Sequence, residues 1–215
     1  MKWLKPVLAD PLKPDFDLAM LAEWGLIQGD AVDGFSFEQG QLTESTGERL
    51  EFSGCLFKRC RIAPQGIKWL SFTDCRFEGC DLSSAQMNGV SLRRAAFVRC
   101  RMTGCDLSEG ALSSVSFDEC QMDYANFSQG RLAQVQFVDC AASFSAYYQA
   151  KPKGVHFAGG SLSGAEIGGM ALAGIDLSTT DISGIRVQGG ELKGVIVSAI
   201  QAVELSKLLG LVVKD

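Results

Sequence analysis

The sequence contains one histidine, His156, and no apolar run near the length of a membrane span. No serine or cysteine is set beside that histidine by pattern, so no nucleophile–base pair can be assembled. His156 therefore reads as a solvated surface residue, and no catalytic residue is expected. A span needs about 20 consecutive apolar residues. Met1–Asp10 also lacks an apolar signal core with a small-residue cleavage site, so the expectation is a cytoplasmic protein without membrane association. A phosphate-cradling glycine loop and a dinucleotide fingerprint are missing too, and no cofactor is expected. Proline occurs five times, with Pro6, Pro11 and Pro14 all in the first fourteen residues. That density disfavours a helix there and predicts an extended strap. Neither sign of charge is in large excess, the net being −5. The sign nevertheless changes along the chain: residues 49–101 carry 10 basic and 4 acidic side chains, and residues 102–191 carry 4 and 10.

The sequence is rich in periodicity. Every twentieth residue from 37 to 157 is phenylalanine: Phe37, Phe57, Phe77, Phe97, Phe117, Phe137 and Phe157, followed in phase by Leu177 and Val197. A shorter period of five runs through the same stretch, with apolar residues such as Phe52, Ile62, Phe72, Leu82, Met87 and Leu92 at the centre of each pentad. A helix of 3.6 residues per turn would scatter a five-residue period around its surface, whereas a chain that turns a corner every five residues keeps it inside. Four such sides close one coil of twenty. The residue two before each centre lies on the same side of an extended segment, and all eight cysteines occupy that position. Glycine often follows two places after the centre, as at Gly54, Gly79, Gly104 and Gly164, where a corner needs its backbone freedom. Two stretches depart from the pattern: Gly47 stands where an apolar centre is due, and Ala142 and Pro152 occupy centres on either side of Tyr147.

Motifs such as Cys105-Asp106-Leu107-Ser108, Ala125-Asn126-Phe127-Ser128 and Ile175-Asp176-Leu177-Ser178 resemble the A-[DN]-L-x-x unit of pentapeptide-repeat proteins. The resemblance implies an all-β fold, a right-handed quadrilateral β-helix over residues 32–197. About eight coils at the sheet spacing of roughly 4.8 Å would give a rod about 40 Å long. Residues 1–31 form the non-repeat N-terminal strap, with a short helix from Asp15, a candidate N-cap, to about Trp24. Ile27 and Val32 are already in phase with the repeat. Residues 198–215 form a C-terminal capping helix and a terminal strand. Ser198 and Gln201 have capping-box spacing, Ala202, Leu205, Leu208 and Leu209 share one helical face, Gly210 supplies the stop, and Leu211–Val213 read as the strand.

Candidate chemistry is weighed against the repeat. The cysteines fill a class of position otherwise held by alanine, valine or glycine, and adjacent ones fall on neighbouring sides of the coil. They therefore read as small core residues, not as metal ligands. Lys58, Arg59, Arg61, Arg99 and Arg101 could form a basic stripe, but Asp81 should lie between Arg61 and Arg101 and Glu78 beside Lys58. Ion pairs along the rod then account for these charges, and direct nucleic-acid binding is not expected. Tyr124 and Phe144, twenty apart, should stack on the outside, with Tyr148, Lys151 and Lys153 following; this is the candidate partner patch. The chain's length and its ending, Ala202–Val213 with Leu208-Leu209-Gly210, resemble the quinolone-resistance and gyrase-inhibitor-immunity group within the same family. That resemblance implies a homodimer joined through the C-terminal region, Leu205, Leu208 and Leu209 included, that engages DNA gyrase or topoisomerase IV as a mimic of duplex DNA. The alternative is a general protein-interaction scaffold. A continuous acidic face over residues 102–191 would favour the first reading, and mixed charge the second.

Overall fold

The computed structural model describes residues 3–14, 16–43, 45–208 and 210–213. Its body is a parallel β-solenoid in which every strand pair is offset by one coil, as in Phe37↔Phe57, Phe77↔Phe97 and Phe117↔Phe137. Four sides can be named by their inward files. Side 1 carries the phenylalanines from Phe37 to Phe157, and side 2 carries Leu42, Ile62, Leu82, Met102 and Met122. Side 3 carries Met87, Leu107, Phe127 and Tyr147, and side 4 carries Phe52, Phe72, Leu92, Leu112 and Leu132; all of these are buried. Successive rings of side 1 stack at 4.4 to 5.2 Å between centroids, the closest being Phe77 on Phe97. Stacked pairs at this spacing contribute roughly 0.5–1.5 kcal/mol each beyond the area they bury.

The four sides are not equivalent. Sides 4 and 1 run as one continuous strand in Ser91–Val98, Ala111–Asp118 and Arg131–Val138. Beyond the first coils, where side 2 pairs as Leu42↔Ile62 and side 3 as Gly47↔Ile67, sides 2 and 3 instead meet their neighbours through single bridges such as Asp81↔Arg101 and Asp106↔Asn126. Tight turns close them, with the N–H of Cys105 donating to Met102 O at 3.0 Å and that of Gly110 to Leu107 O at 3.2 Å. Continuous strands end at Ala158, and bridges alone, the last being Asp176↔Ile196, carry the register onward. The corner residue two places after most centres takes a left-handed conformation. Glycine serves there at Gly54, Gly79, Gly104 and Gly164, and among the described residues fifteen non-glycine residues do so too, Arg59, Ser84, Tyr124 and Phe144 among them.

Both irregular stretches have a packing cause. Helix α1 (Leu18–Gln28) lies across the N-terminal end of the solenoid. A methyl group at Gly47 would sit 2.6 Å from Leu26 Cδ2, and one at Gly40 would sit 2.8 Å from Leu18 Cβ. The helix thus supplies the apolar atoms that the first coil lacks. At the second stretch, Tyr147 is fully buried and stacks under Phe127 at 5.2 Å. The small Ala142 and Pro152 on the adjacent sides leave room for its larger ring.

The N-terminal helix is longer than its sequence signals. It is capped by Asp17, whose carboxylate accepts the N–H groups of Ala19 and Met20, and it closes at Gly29 in a left-handed conformation. Asp15, the expected cap, lies outside the described residues, and Ile27 belongs to the helix and is exposed rather than in phase with the repeat. The strap before the helix climbs the outside of the rod, with Lys13 bridging Phe35, Ala9 N–H donating to Gly54 O and Val7 N–H donating to Asp74 Oδ1. It lies against Ala96 and Val98, outward residues of side 1 that are nonetheless buried.

At the other end, helix α2 (Ala199–Leu208) has the expected capping box. Ser198 N–H donates to Gln201 Oε1, and Gln201 N–H donates to Ser198 Oγ. The Gln201 amide also donates to Leu177 O and Thr180 O, tying the helix to the last coil. Its covered face is narrower than the heptad pattern implies: Leu205 is buried, Ala202 and Leu208 are exposed, and Leu209 lies outside the described residues. Leu211, Val212 and Val213 form no strand; they follow the turn at Gly210 exposed and unpaired in any ladder.

Candidate interaction surfaces

The aromatic patch predicted on the outside divides between two ridges. Tyr124 and Phe144 stack at 5.3 Å with planes 12° apart, on the corner between sides 2 and 3. Both hold positive φ, 61° and 57°, where a bulky L-residue is an outlier. The Phe144 ring lies over Gly164, where a Cβ would fall 2.6 Å from two ring carbons. Tyr148 rises on the far ridge of side 3, its ring over Gly168, with Ala146 on the floor between. The three rings therefore frame side 3. Lys151 and Lys153 do not join them; they lie on side 4, in register with Arg131 and Ala133.

Charge along the rod follows a simple rule. Side chains one coil apart alternate in sign: Arg61 and Arg101 flank Asp81 at 2.7 and 3.8 Å, Arg186 meets Glu166 at 2.7 Å, and Arg94 closes on Asp74. Burial alone would raise the Asp81 carboxyl, but hydrogen bonds from Ser83 and the Arg61 guanidinium outweigh it and hold the group below its usual range. The expected Lys58–Glu78 neighbours are in register, although Glu78 pairs with Arg76 on its own strand at 2.6 Å. Like charges are stacked at two places only among the described residues. Glu119 precedes Asp139 on the corner between sides 1 and 2, and Arg131 precedes Lys151 on side 4. The acidic excess of residues 102–191 is thus neither continuous nor mixed at random. Asp118, Glu119, Asp139 and Asp181 gather along the edge shared by sides 1 and 2, with Asp176 on side 1 and Asp123 on side 2, while Arg131, Lys151 and Lys153 gather on side 4.

Sequence spacing did not single out that carboxylate edge or the side-4 cluster. The signal was present in the twenty-residue spacing of Glu119 and Asp139 and of Arg131 and Lys151, and in Trp69 at a corner position, where it is 70 % exposed.

The interior holds the cysteines. All eight are free and buried, and seven of the thiols donate to main-chain carbonyls of the preceding coil, as Cys80 does to Phe57 O at 3.4 Å and Cys120 to Phe97 O at 3.5 Å. Burial pushes the Cys75 and Cys105 thiols up, away from the reactive thiolate. Among the described residues no group of three or more metal-ligating side chains converges. His156 is exposed on side 1. The C-terminal end is apolar and open, with Ile196, Ile200, Val203 and Leu208 each exposed by more than two-fifths.

A family model described as a pentapeptide repeat region matches residues 70–141. No curated protein matches the chain. Among solved structures, a trypsin-treated variant of QnrB1, a plasmid-mediated fluoroquinolone resistance protein, is 19 % identical, with 87 % of this chain and 96 % of that chain covered at a TM-score of 0.39. A second such variant is 15 % identical, covering 94 % and 97 % at 0.42. HetL, a pentapeptide repeat protein involved in heterocyst differentiation regulation from the cyanobacterium Nostoc sp. strain PCC 7120, is 16 % identical, covering 85 % and 97 % at 0.26.

Proposed function

This chain is a pentapeptide-repeat protein, and on that premise we propose that it acts by binding a protein that handles duplex DNA, a type II topoisomerase such as DNA gyrase or topoisomerase IV. The observation that carries the reading is the carboxylate edge between sides 1 and 2. Four carboxylates, Asp118, Glu119, Asp139 and Asp181, lie along four coils there, which at roughly 4.8 Å per coil is one negative charge per roughly 5 Å of rod. A single strand of DNA presents one per about 3.4 Å of helix axis. A protein surface that accepts a phosphate backbone would meet a charge density of the same order on a rigid support. Arg99 reaches Glu119 only at 3.9 Å, so the edge keeps most of its charge.

The assembly that fits this role is a homodimer joined at the C-terminal end, which would cover Ile196, Ile200, Val203 and Leu208. Sedimentation should give a dimer for the native protein and a monomer for Ile200→Glu.

The functional test is gyrase supercoiling in the presence of a fluoroquinolone. The native protein should restore supercoiling, and Glu119→Lys with Asp139→Lys should lose that effect. No rescue at any protein-to-enzyme ratio would overturn the reading. The framed side 3 favours a second role, that of a general interaction scaffold, because exposed stacked rings have no place in a mimic of phosphates. In that case affinity capture returns a partner other than a topoisomerase, and Phe144→Ala weakens its retention.

A further inference from the structure

Side 4 holds the other place where the rod breaks its own charge alternation. Arg131 and Lys151 are stacked one coil apart, Lys153 stands on the same strand as Lys151, and none of the three makes an ion pair among the described residues. Like charges directly opposite on neighbouring strands destabilise a sheet. Other basic residues on the rod, such as Arg61, Arg94 and Arg186, meet a carboxylate one coil away, and Arg49 and Arg76 meet one on their own strand. The cluster continues into an open groove of about 680 Å³, whose floor is the hydroxyl-bearing Ser71, Thr73 and Ser91 and whose far wall includes Arg93. Trp69 stands on the ridge of this groove with its indole free to solvent, 70 % exposed. Two carboxylates line it as well: Glu51, which is held by Arg49, and Glu109.

We propose that side 4 binds single-stranded nucleic acid, the bases stacking on Trp69 and the phosphates tracking Arg93, Arg131, Lys151 and Lys153. An exposed aromatic platform beside a row of cations is the combination that single strands use, since every base offers a π-face while the backbone supplies regular charge. The distance favours it too. From the Trp69 coil to the Lys151 coil is four steps, roughly 19 Å, enough for a few nucleotides and within the range of known single-strand site sizes. A duplex has its bases stacked inside and leaves Trp69 without a partner. The groove lies diagonally across the rod from the carboxylate edge, so both surfaces can be occupied at once. The ion pairing that argues against nucleic acid holds for Arg61, Arg99 and Arg101; it fails here.

The test is fluorescence anisotropy of a labelled oligodeoxythymidine with the full chain at low salt. Saturable binding is expected, with a log–log salt slope of about −3, from about four phosphate contacts at 0.7 each. Arg131→Glu with Lys151→Glu should weaken binding at least tenfold, and Trp69→Ala at least fivefold. Lys207→Glu on α2 should leave it unchanged. All of these positions are exposed, and unaltered circular dichroism confirms that the fold persists. The proposal is overturned by any of three results: no saturable binding by the native chain, equal binding by the side-4 variants, or equal competition by a duplex or by polyglutamate. Polyglutamate winning would identify an acidic protein segment as the ligand.

Discussion

At the scale of single residues, the position within the pentad decides what a side chain can do. Phe97 is 1 % exposed and is sandwiched by Phe77 at 4.4 Å and Phe117 at 5.0 Å, on a strand that cannot collapse without breaking register with both neighbours. Phe97→Ala should therefore cost about 3–5 kcal/mol, measured by urea denaturation. The inward files were legible in the sequence because a period of twenty has few physical sources. The left-handed corner was legible through its glycines but not through Arg59, Ser84 or Phe144, which adopt the same backbone without glycine's freedom. Gly47 was unreadable for a different reason: the atoms that replace its missing side chain come from Leu26, on an element outside the repeat.

At the scale of elements, the pieces outside the repeat make its ends and one side stable. Helix α1 was only partly legible, since its cap at Asp17 and its stop at Gly29 are local signals while its buried face is set by contact with the first coil. The strap's position could not be read at all. Its clue was the pair of outward apolar residues Ala96 and Val98, which need a cover. The strap is anchored by Asp74, which accepts Val7 N–H at 3.0 Å and pairs with Arg94. Burial acts to raise the Asp74 carboxyl, but Arg94 and the Val7 N–H lower it by more, so the folded group titrates below its ordinary value of 3.8. A depressed carboxyl contributes stability that is present above the unfolded value and is lost as pH falls through the folded one. The hydrogen-exchange protection of Val7 and Ala9, taken relative to the intrinsic rate at each pH, should accordingly be high at neutral pH and fall as the medium is acidified below that ordinary value. Asp74→Asn should exchange faster at neutral pH and lack the acid step. Identical exchange profiles for the two proteins would count against the anchor.

Helix α2 shows the limit of pattern reading at the C-terminal end. The capping box at Ser198 and Gln201 was readable from four residues. The width of its buried face was not, because Leu205 is the one residue of the helix that is fully covered while Leu208 stays about half exposed. The apolar residues left outside are the reason a second copy is proposed there.

At the scale of the whole molecule, the solenoid converts sequence position into a charge map. Residues far apart in the chain, such as Asp118 and Asp181, come to share one edge, while Arg131 and Lys151, lying between them in sequence, face away on side 4. Segment totals therefore mislead: the acidic balance of residues 102–191 hides a rod that is negative along one edge and positive on another side. A binding partner reads the sides, not the segments. Carbodiimide footprinting of the chain in complex with DNA gyrase tests this most directly, because it reports each carboxylate separately. The account predicts that Glu119, Asp139 and Asp181 are shielded by the enzyme while Glu109 and Glu166, away from the shared edge, stay reactive. Shielding of Glu109 and Glu166 with Glu119 and Asp139 left reactive would contradict it.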